Sequence, residues 1–140
     1  MRDAGVAGVI VPDMPPEAAT PWLRTARGLD TVFLVAPTST DERLTVVTAA
    51  SRGFVYCVST TGTTGERETL ALGLAELVER IRAHTTLPVA VGFGVGTAAQ
   101  AAQVAAIADG VIVGSAIVKR QRHPDEVEEF VRELAEAVHR

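Results

Sequence analysis

Short apolar runs alternate with longer segments of helical periodicity along the whole 140-residue chain. The runs are nearly continuous in valine, isoleucine, leucine and alanine, which is typical of parallel strands buried on both faces. They predict five strands, at residues 8–12, 31–36, 54–58, 88–91 and 110–113. The alternation of strands and helices predicts an α/β fold with a parallel sheet.

The segments between the strands predict helices with one apolar face. The clearest stripe has the i, i+4, i+7, i+8, i+11 spacing of such a face and comprises Leu70, Leu74, Leu77, Val78 and Ile81. Ser39 and Glu42 have the spacing of a capping box and predict the start of another helix. Further helices are predicted at 17–27, 97–108 and 124–139.

Five β-α units make either a small open sheet of the flavodoxin-like kind or part of a β/α barrel, which needs eight units. Residues 1–5 resemble the last turn of a helix that Gly5 ends, and a domain rarely begins in this way. We therefore expect residues 1–140 to be a single domain, the carboxyl-terminal portion of a (β/α)8 TIM barrel whose amino-terminal units are missing. The open sheet is the alternative.

Composition narrows the class of partner. Hydrophobic residues make up 47% of the chain, and the net charge of −4 argues against nucleic acid or an anionic membrane surface as the main partner. Phosphate is still compatible with an acidic protein, because backbone N–H groups can bind it locally. The single Cys57 permits no intrachain disulfide, and no signal peptide or membrane-spanning stretch is evident. We expect a reducing, cytoplasmic setting.

Two glycine-marked strand ends carry the clearest functional signal. Gly92-Phe93-Gly94 follows the fourth predicted strand, and Gly114-Ser115 follows the fifth. Glycine lets a ligand approach the backbone, and a helix that begins just beyond offers free N–H groups to an anion. Each turn alone is equally explained by tight strand-to-helix packing. Together they predict a phosphate held between the last two strands of a barrel.

Two features at the third predicted strand allow a functional and a structural interpretation. The loop at 59–67 is long, polar and rich in glycine, and is either a lid over the site or a flexible surface connection. Tyr56 lies in the strand itself, where its hydroxyl either contacts a substrate or fills the barrel interior.

Other polar residues give weaker signals. Asp13 follows a strand at the end where barrel enzymes keep catalytic groups, but it also suits a helix cap. Asp109 precedes a strand, at the opposite rim, and is interpreted as structural. The histidines are scattered and predict neither a metal site nor a nucleophile triad: His84, His123 and His139.

Six motifs occur in one order along the chain: Val11-Pro12-Asp13-Met14-Pro15, Ala36-Pro37-Thr38, Gly53-Phe54-Val55-Tyr56, Gly62-Thr63-Thr64-Gly65, Val91-Gly92-Phe93-Gly94, and Ala108-Asp109-Gly110 followed by Gly114-Ser115-Ala116. Over essentially all 140 residues they resemble strands four to eight of the tryptophan synthase alpha subunit family. The resemblance implies a barrel lyase of tryptophan biosynthesis that cleaves indole-3-glycerol phosphate to indole and glyceraldehyde 3-phosphate. It also implies a beta subunit, in an α2β2 assembly, that holds pyridoxal phosphate and uses the indole.

The resemblance also implies which residues bind the substrate: Tyr56, Thr64, Gly65, Gly92, Phe93, Gly94, Gly114 and Ser115. The loop departs from the family's Gly-Val-Thr-Gly by carrying Thr63, a change that keeps β-branching and is expected to matter little. Met14-Pro15 would lie towards the beta subunit. No cofactor and no metal are expected on this chain.

The family's two catalytic carboxylates, a glutamate and an aspartate, lie on and after its second strand, which this chain lacks. No catalytic residue is therefore expected here, Asp13 becomes a supporting residue, and the chain alone is expected to be inactive. Two alternatives are a non-catalytic phosphate-binding or self-associating barrel fragment, and another phosphate-binding barrel enzyme such as a phosphoribosyl isomerase or a thiamine-phosphate synthase-like enzyme. The sequence at 56–65 argues against the latter.

Overall fold

Strands and helices alternate in the computed structural model, which describes residues 2–59, 67–92 and 94–139. After a single 3-10 turn at Arg2–Ala4, the elements are β1 (Gly8–Ile10), α1 (Thr20–Thr25), β2 (Asp30–Val32), β3 (Leu34–Val35), α2 (Asp41–Ala50), β4 (Val55–Val58), α3 (Arg67–Arg82), β5 (Val89–Gly92), α4 (Ala98–Ala105), β6 (Gly110–Ile112), α5 (Ser115–Val118) and α6 (Pro124–Val138). The predicted α/β class is confirmed.

All strand pairs are parallel and join strands that are consecutive in the chain. One sheet has the order β1-β2 and the other the order β3-β4-β5-β6. A flavodoxin-like sheet would change direction at a switch point, with its second strand outside its first. The observed order always advances in one direction, as in a barrel wall. The structure therefore favours the partial barrel over the open sheet.

The second predicted strand, 31–36, is divided into β2 and β3 at the buried Phe33. The carbonyl of Val32 accepts a hydrogen bond from Val11 N (2.9 Å), on the β1 side, whereas the carbonyl of Phe33 accepts one from Tyr56 N (3.2 Å), on the β4 side. Consecutive carbonyls thus face opposite neighbours. The two short strands connect the two sheets into one wall.

The core lies between one face of this wall and the helices. Valines and Cys57 of the strands are fully buried against α2, α3 and α4, and the packed set includes Val55, Cys57, Val89, Val91, Leu44, Val47, Leu77, Val78, Ile81 and Ala101. The predicted α3 stripe is confirmed from Leu74 onwards, and the side chain of Leu70 lies outside the part described. The other strand face, which carries Tyr56 and Ala90, is only half-buried. Burial on both faces, predicted from the apolar runs, is confirmed around β2, where Thr31, Val32 and Phe33 are all buried, and is met on one face only in β4.

The start of α2 corrects one prediction. The cap is Thr40, whose hydroxyl accepts from Arg43 N at 3.3 Å, and not Ser39. Ser39 instead accepts from Ala36 N at 3.1 Å and closes the turn before the helix. Both residues offer a hydroxyl, and the capping-box spacing to Glu42 pointed to Ser39, one residue before the true cap. Within the described ranges, no helix is long and apolar enough to cross a membrane.

The amino-terminal rim of the sheet is held by a carboxylate. Asp109 accepts from Val89 N (2.8 Å) and from the Arg82 guanidinium (3.0 Å), joining α3, β5 and the start of β6. The Val89 N–H and, after it, the Arg82 side chain hold the pKa of Asp109 below its usual value. These bonds agree with the structural role predicted for this residue.

Candidate active site: Tyr56 and two glycine turns

The two predicted glycine segments lie side by side at the carboxyl ends of β5 and β6. Gly92, the last residue of β5, is paired with Ile112, the last residue of β6. We call Gly92 with Gly94 the first glycine turn and Gly114 with Ser115 the second glycine turn. Parallel pairing carries both turns to the same edge of the sheet, as the sequence predicted.

Gly92 lies in close contact with its neighbours. A Cβ built on it would meet the Tyr56 hydroxyl oxygen, and would lie 2.9 Å from Tyr56 Cζ and 2.9 Å from Ile112 Cβ. Real side chains essentially never approach so closely, so a neighbour would have to move. The site at 92 therefore requires glycine because the Tyr56 ring occupies the space above it.

Tyr56 projects from β4 over the first glycine turn. Its side chain is half-buried, and its hydroxyl makes no hydrogen bond to any residue in the ranges described. Burial raises the pKa of this phenol above its usual value, so it is neutral near pH 7 and able to donate a hydrogen bond. Tyr56 thus offers an unused donor beside the turn.

The first glycine turn continues through Gly94, whose φ of +81° is the left-handed conformation that favours glycine. The helix beyond begins only at Ala98, and the Thr97 side chain caps it. Gln100 N donates to Thr97 Oγ1 (3.2 Å), and Gly96 N donates to Gln100 Oε1 (2.8 Å). The expected free helix start is therefore not found directly after this turn.

The second glycine turn is open. Gly114 and Ser115 are exposed, and a Cβ built on Gly114 would meet no atom within 4 Å. Helix α5 begins at once with Ser115, and no side chain caps its first turn. Backbone N–H groups at an uncapped helix start, next to a serine hydroxyl, are suited to hold an anion.

Two residues that support the turns were missed in the sequence. Ser59, directly after β4, donates its hydroxyl to the Gly92 carbonyl at 3.1 Å. Arg120 donates to the Ala116 carbonyl at 2.7 Å and lies over the Phe130 ring, 4.1 Å from its centroid, so it ties α5 to α6. A hydroxyl residue directly after a strand was the one available signal for Ser59. Arg120 gave none, because its partners depend on how α5 packs.

The remaining predicted residues are not brought into this arrangement. Thr64, Gly65 and Phe93 lie outside the described residues, and so does the loop 60–66. Asp13 is exposed in the segment after β1. No cluster of histidine, cysteine or carboxylate side chains in the described ranges could hold a metal ion. An open cleft of about 600 Å³ between α1 and the end of α2 contains none of the predicted site residues.

Known proteins that resemble this chain belong to the same family. A family model described as tryptophan synthase alpha chain matches residues 1–140. The tryptophan synthase alpha chain of Acidothermus cellulolyticus is 54% identical over 118 residues, which are 83% of this chain and 44% of that protein. The alpha chain of Mycobacterium tuberculosis is 53% identical over 117 residues, which are 82% of this chain and 43% of the relative.

Solved structures agree with the fold. The M. tuberculosis tryptophan synthase, in an open form with BRD0059 bound, superposes with a TM-score of 0.85 at 44% identity, covering 98% of this chain and 52% of that one. The tryptophan synthase subunit alpha of Campylobacter jejuni superposes with a TM-score of 0.88 at 28% identity, covering 95% and 55%.

The chain spans about half the length of the curated relatives it matches. Within that span the family model covers every residue, and the barrel wall from β1 to β6 superposes on alpha subunits of known structure. The chain belongs to the tryptophan synthase alpha chain family.

Proposed function

We propose that this chain holds the phosphate group of indole-3-glycerol phosphate in a lyase that releases indole and glyceraldehyde 3-phosphate. The observation that carries the proposal is the juxtaposition of the two glycine turns, with the uncapped start of α5 and the free Tyr56 hydroxyl beside them. Thr64, Gly65 and Phe93 are included in the proposed substrate site by family resemblance alone.

Each element has a separate role in this proposal. The second glycine turn supplies N–H donors and the Ser115 hydroxyl to the phosphate oxygens, and the first, packed against Tyr56, defines the shape of the site beside them. Tyr56 donates from the side of β4 towards the rest of the substrate. None of these groups has to change its charge, so together they bind and orient the substrate without moving protons.

The reaction itself needs proton transfers. The carbon–carbon bond between the indole ring and the glycerol chain breaks, the glycerol hydroxyl loses a proton as it becomes the aldehyde, and the indole carbon takes a proton. Positioned general acids and bases typically contribute about 10² to 10⁴ in rate. We propose that the family's two carboxylates supply this step from the part of the barrel that is absent in these 140 residues, so that this chain alone binds phosphate without turnover.

The partner in this proposal is a tryptophan synthase beta subunit, with Met14-Pro15 near the contact and pyridoxal phosphate on the beta subunit alone. The half-buried Met14 and the exposed Asp13 and Pro15 lie after β1, at the same end of the wall as the glycine turns. A reducing, cytoplasmic setting belongs to the same proposal and suits the buried free thiol of Cys57.

Titration with glycerol 3-phosphate, observed by NMR, tests phosphate binding, with glycerol as the ligand that lacks the phosphate. Gly114→Asp places a negative charge at the open turn, so we expect it to abolish binding by like-charge repulsion. Gly73→Asp is the matched control, because Gly73 is also exposed with no atom within 4 Å of a built Cβ. Equal binding by both variants, or equal affinity for glycerol, would contradict the proposal.

A complementation experiment tests the reaction. The chain is mixed with the amino-terminal part of the Acidothermus relative that lies outside the matched region, and indole release from indole-3-glycerol phosphate is measured. We expect release from the mixture and none from either piece. Normal turnover by this chain alone would refute the proposed division of roles.

A second candidate is a barrel segment that associates with another copy or another β/α chain. The observation that favours it is the outer edge of β1, which pairs in the described residues only with β2, next to Val6 and Ile10 at 38% and 43% exposure. Size-exclusion chromatography with light scattering tests it. A single monomeric species at high concentration would count against this candidate.

A further inference from the structure

Ser59 makes two hydrogen bonds to one carbonyl at the base of the first glycine turn. It follows β4, is 6% exposed, and directs two donors at one atom, the carbonyl oxygen of Gly92. Its backbone N–H donates at 2.9 Å and extends the ladder between β4 and β5. Its hydroxyl donates at 3.1 Å to the same oxygen.

The second of these bonds is not needed to satisfy the carbonyl. One hydrogen bond already satisfies a buried backbone oxygen, and the ladder bond from Ser59 N provides it. An apolar residue at 59 would have avoided burying a hydroxyl at all. The additional donor therefore adds orientation, because an oxygen held by two donors at different angles is less free to rotate than one held by a single donor.

The orientation of the Gly92 carbonyl determines the direction in which the backbone leaves β5. A peptide unit is planar, so fixing its carbonyl oxygen fixes the plane of the whole unit and the direction of the next residues. Tyr56 and Ile112 already restrict Gly92 from the Cα side. Ser59 acts on the carbonyl side, and Gly94 adopts the left-handed conformation two residues further on.

We propose that Ser59 is a positioning residue of the phosphate site: its hydroxyl fixes the Gly92 peptide so that the first glycine turn keeps the shape that receives the phosphate. This inference rests on the proposed function, and it assigns a role to a side chain that itself need not touch the ligand.

The chain contains a closely matched control. Ser51 is also 6% exposed, and it too directs its backbone N–H (3.0 Å) and its hydroxyl (2.9 Å) at a single carbonyl, that of Val47. Ser51 follows α2 and precedes β4, at the opposite rim from the glycine turns. Each hydroxyl donates to a backbone carbonyl at the same degree of burial.

The experiment compares Ser59→Ala with Ser51→Ala in the full chain. The affinity for inorganic phosphate is measured by NMR titration and the stability by urea unfolding. We expect both variants to lose similar stability, but only Ser59→Ala to bind phosphate more weakly, by about three- to tenfold, the range of one neutral hydrogen bond. Unchanged affinity in Ser59→Ala, or equal weakening in Ser51→Ala, would overturn the role of Ser59.

Ser59→Cys is the second variant, for use if the alanine variant does not fold. Its thiol is close in shape and is a weak donor, so we expect a smaller loss of phosphate affinity in the same direction, and no loss would overturn the role. The unsubstituted chain separates the two proposals. If it does not bind phosphate, the proposed function fails and the Ser59 role falls with it. If it binds as well as Ser59→Ala does, the Ser59 role alone fails.

Discussion

The two glycine turns lie on adjacent strands and are built in opposite ways. Gly92 is buried between the Tyr56 ring and Ile112, and its carbonyl is held by Ser59. Gly114 is exposed, has open space where a side chain would stand, and leads into a helix start without a cap. One turn is closed by packing, and the other is open to solvent.

The two glycines are therefore required for different reasons. At Gly92 the glycine is explained by close packing, because any Cβ would collide with the tyrosine. At Gly114 packing explains nothing, since there is no neighbour to avoid, and access of a ligand to the backbone is the remaining reason. A rigid turn and an open turn side by side form one site, in which the first defines the shape and the second offers the donors.

The strongest test of this difference between the two turns is to replace each glycine by alanine. We expect Gly92→Ala to lower the free energy of unfolding by about 1 to 3 kcal/mol, as for other overpacked sites, and to abolish phosphate binding. Gly114→Ala, with no steric conflict and a negative φ of −117°, should stay within about 0.5 kcal/mol of the parent. Urea unfolding and phosphate titration check both.

The cause of the Gly92 effect can be isolated with a second substitution. Tyr56→Ala removes the ring that a Cβ at 92 would meet, so in its background Gly92→Ala should cost less stability than in the parent. Additive losses in this double-mutant cycle would refute the close contact as the reason for glycine.

The open turn depends on what holds α5. We expect Arg120→Met to lower stability by about 1 kcal/mol, through loss of the bond to the Ala116 carbonyl and of the contact with the Phe130 ring, and to weaken phosphate binding several-fold. Arg132→Met is the control, because Arg132 pairs only on the exposed surface of α6, with Glu128 at 3.1 Å. Equal phosphate affinity in both variants would show that Arg120 does not support the turn.

A substitution at the opposite, amino-terminal rim of the sheet should lower stability and leave phosphate binding unchanged. Asp109→Ala removes bonds to Val89 N and Arg82, so we expect a loss of about 1 to 2 kcal/mol and unchanged phosphate affinity, with the exposed Glu133→Ala as control. The pKa of Asp109 is lowered in the folded state. Its ionised carboxylate therefore stabilises the fold above the usual carboxyl pKa, and this stabilisation is lost as the pH falls through the pKa of the folded state. The difference between parent and variant should therefore shrink below about pH 4.

The smallest expected effect on stability comes from Cys57, which lies on the face of β4 opposite Tyr56. Burial raises the pKa of the Cys57 thiol to about 12, from an ordinary value of 9.0. The unfolded thiol ionises first, so this thiol makes stability fall as the pH rises from about 9 to about 12. At about pH 8 we expect a thiol reagent to react with Cys57 only as fast as the protein opens. Rapid reaction in the native state would mean that this face is not the packed one.

The local sequence pattern was sufficient to predict those features that depend on one residue type at one spacing. The positions of the five strands, the apolar face of α3 and the stop at Gly5, with its φ of +77°, followed from the sequence. The choice between Thr40 and Ser39 as helix cap did not, because both carry a hydroxyl that can accept from a backbone N–H. The division of the second strand at Phe33 did not either, since it reflects which neighbour each carbonyl meets.

Composition, period and motif order are local properties of the chain, and they were enough to predict the α/β class, the parallel strands, the family and the two glycine turns. They did not predict that one turn is packed and the other open, or that Ser59 and Arg120 support them. Those properties depend on contacts between residues such as Tyr56 and Gly92, 36 positions apart. Such contacts arise when parallel pairing sets the register between strands, and no local pattern in either segment specifies them.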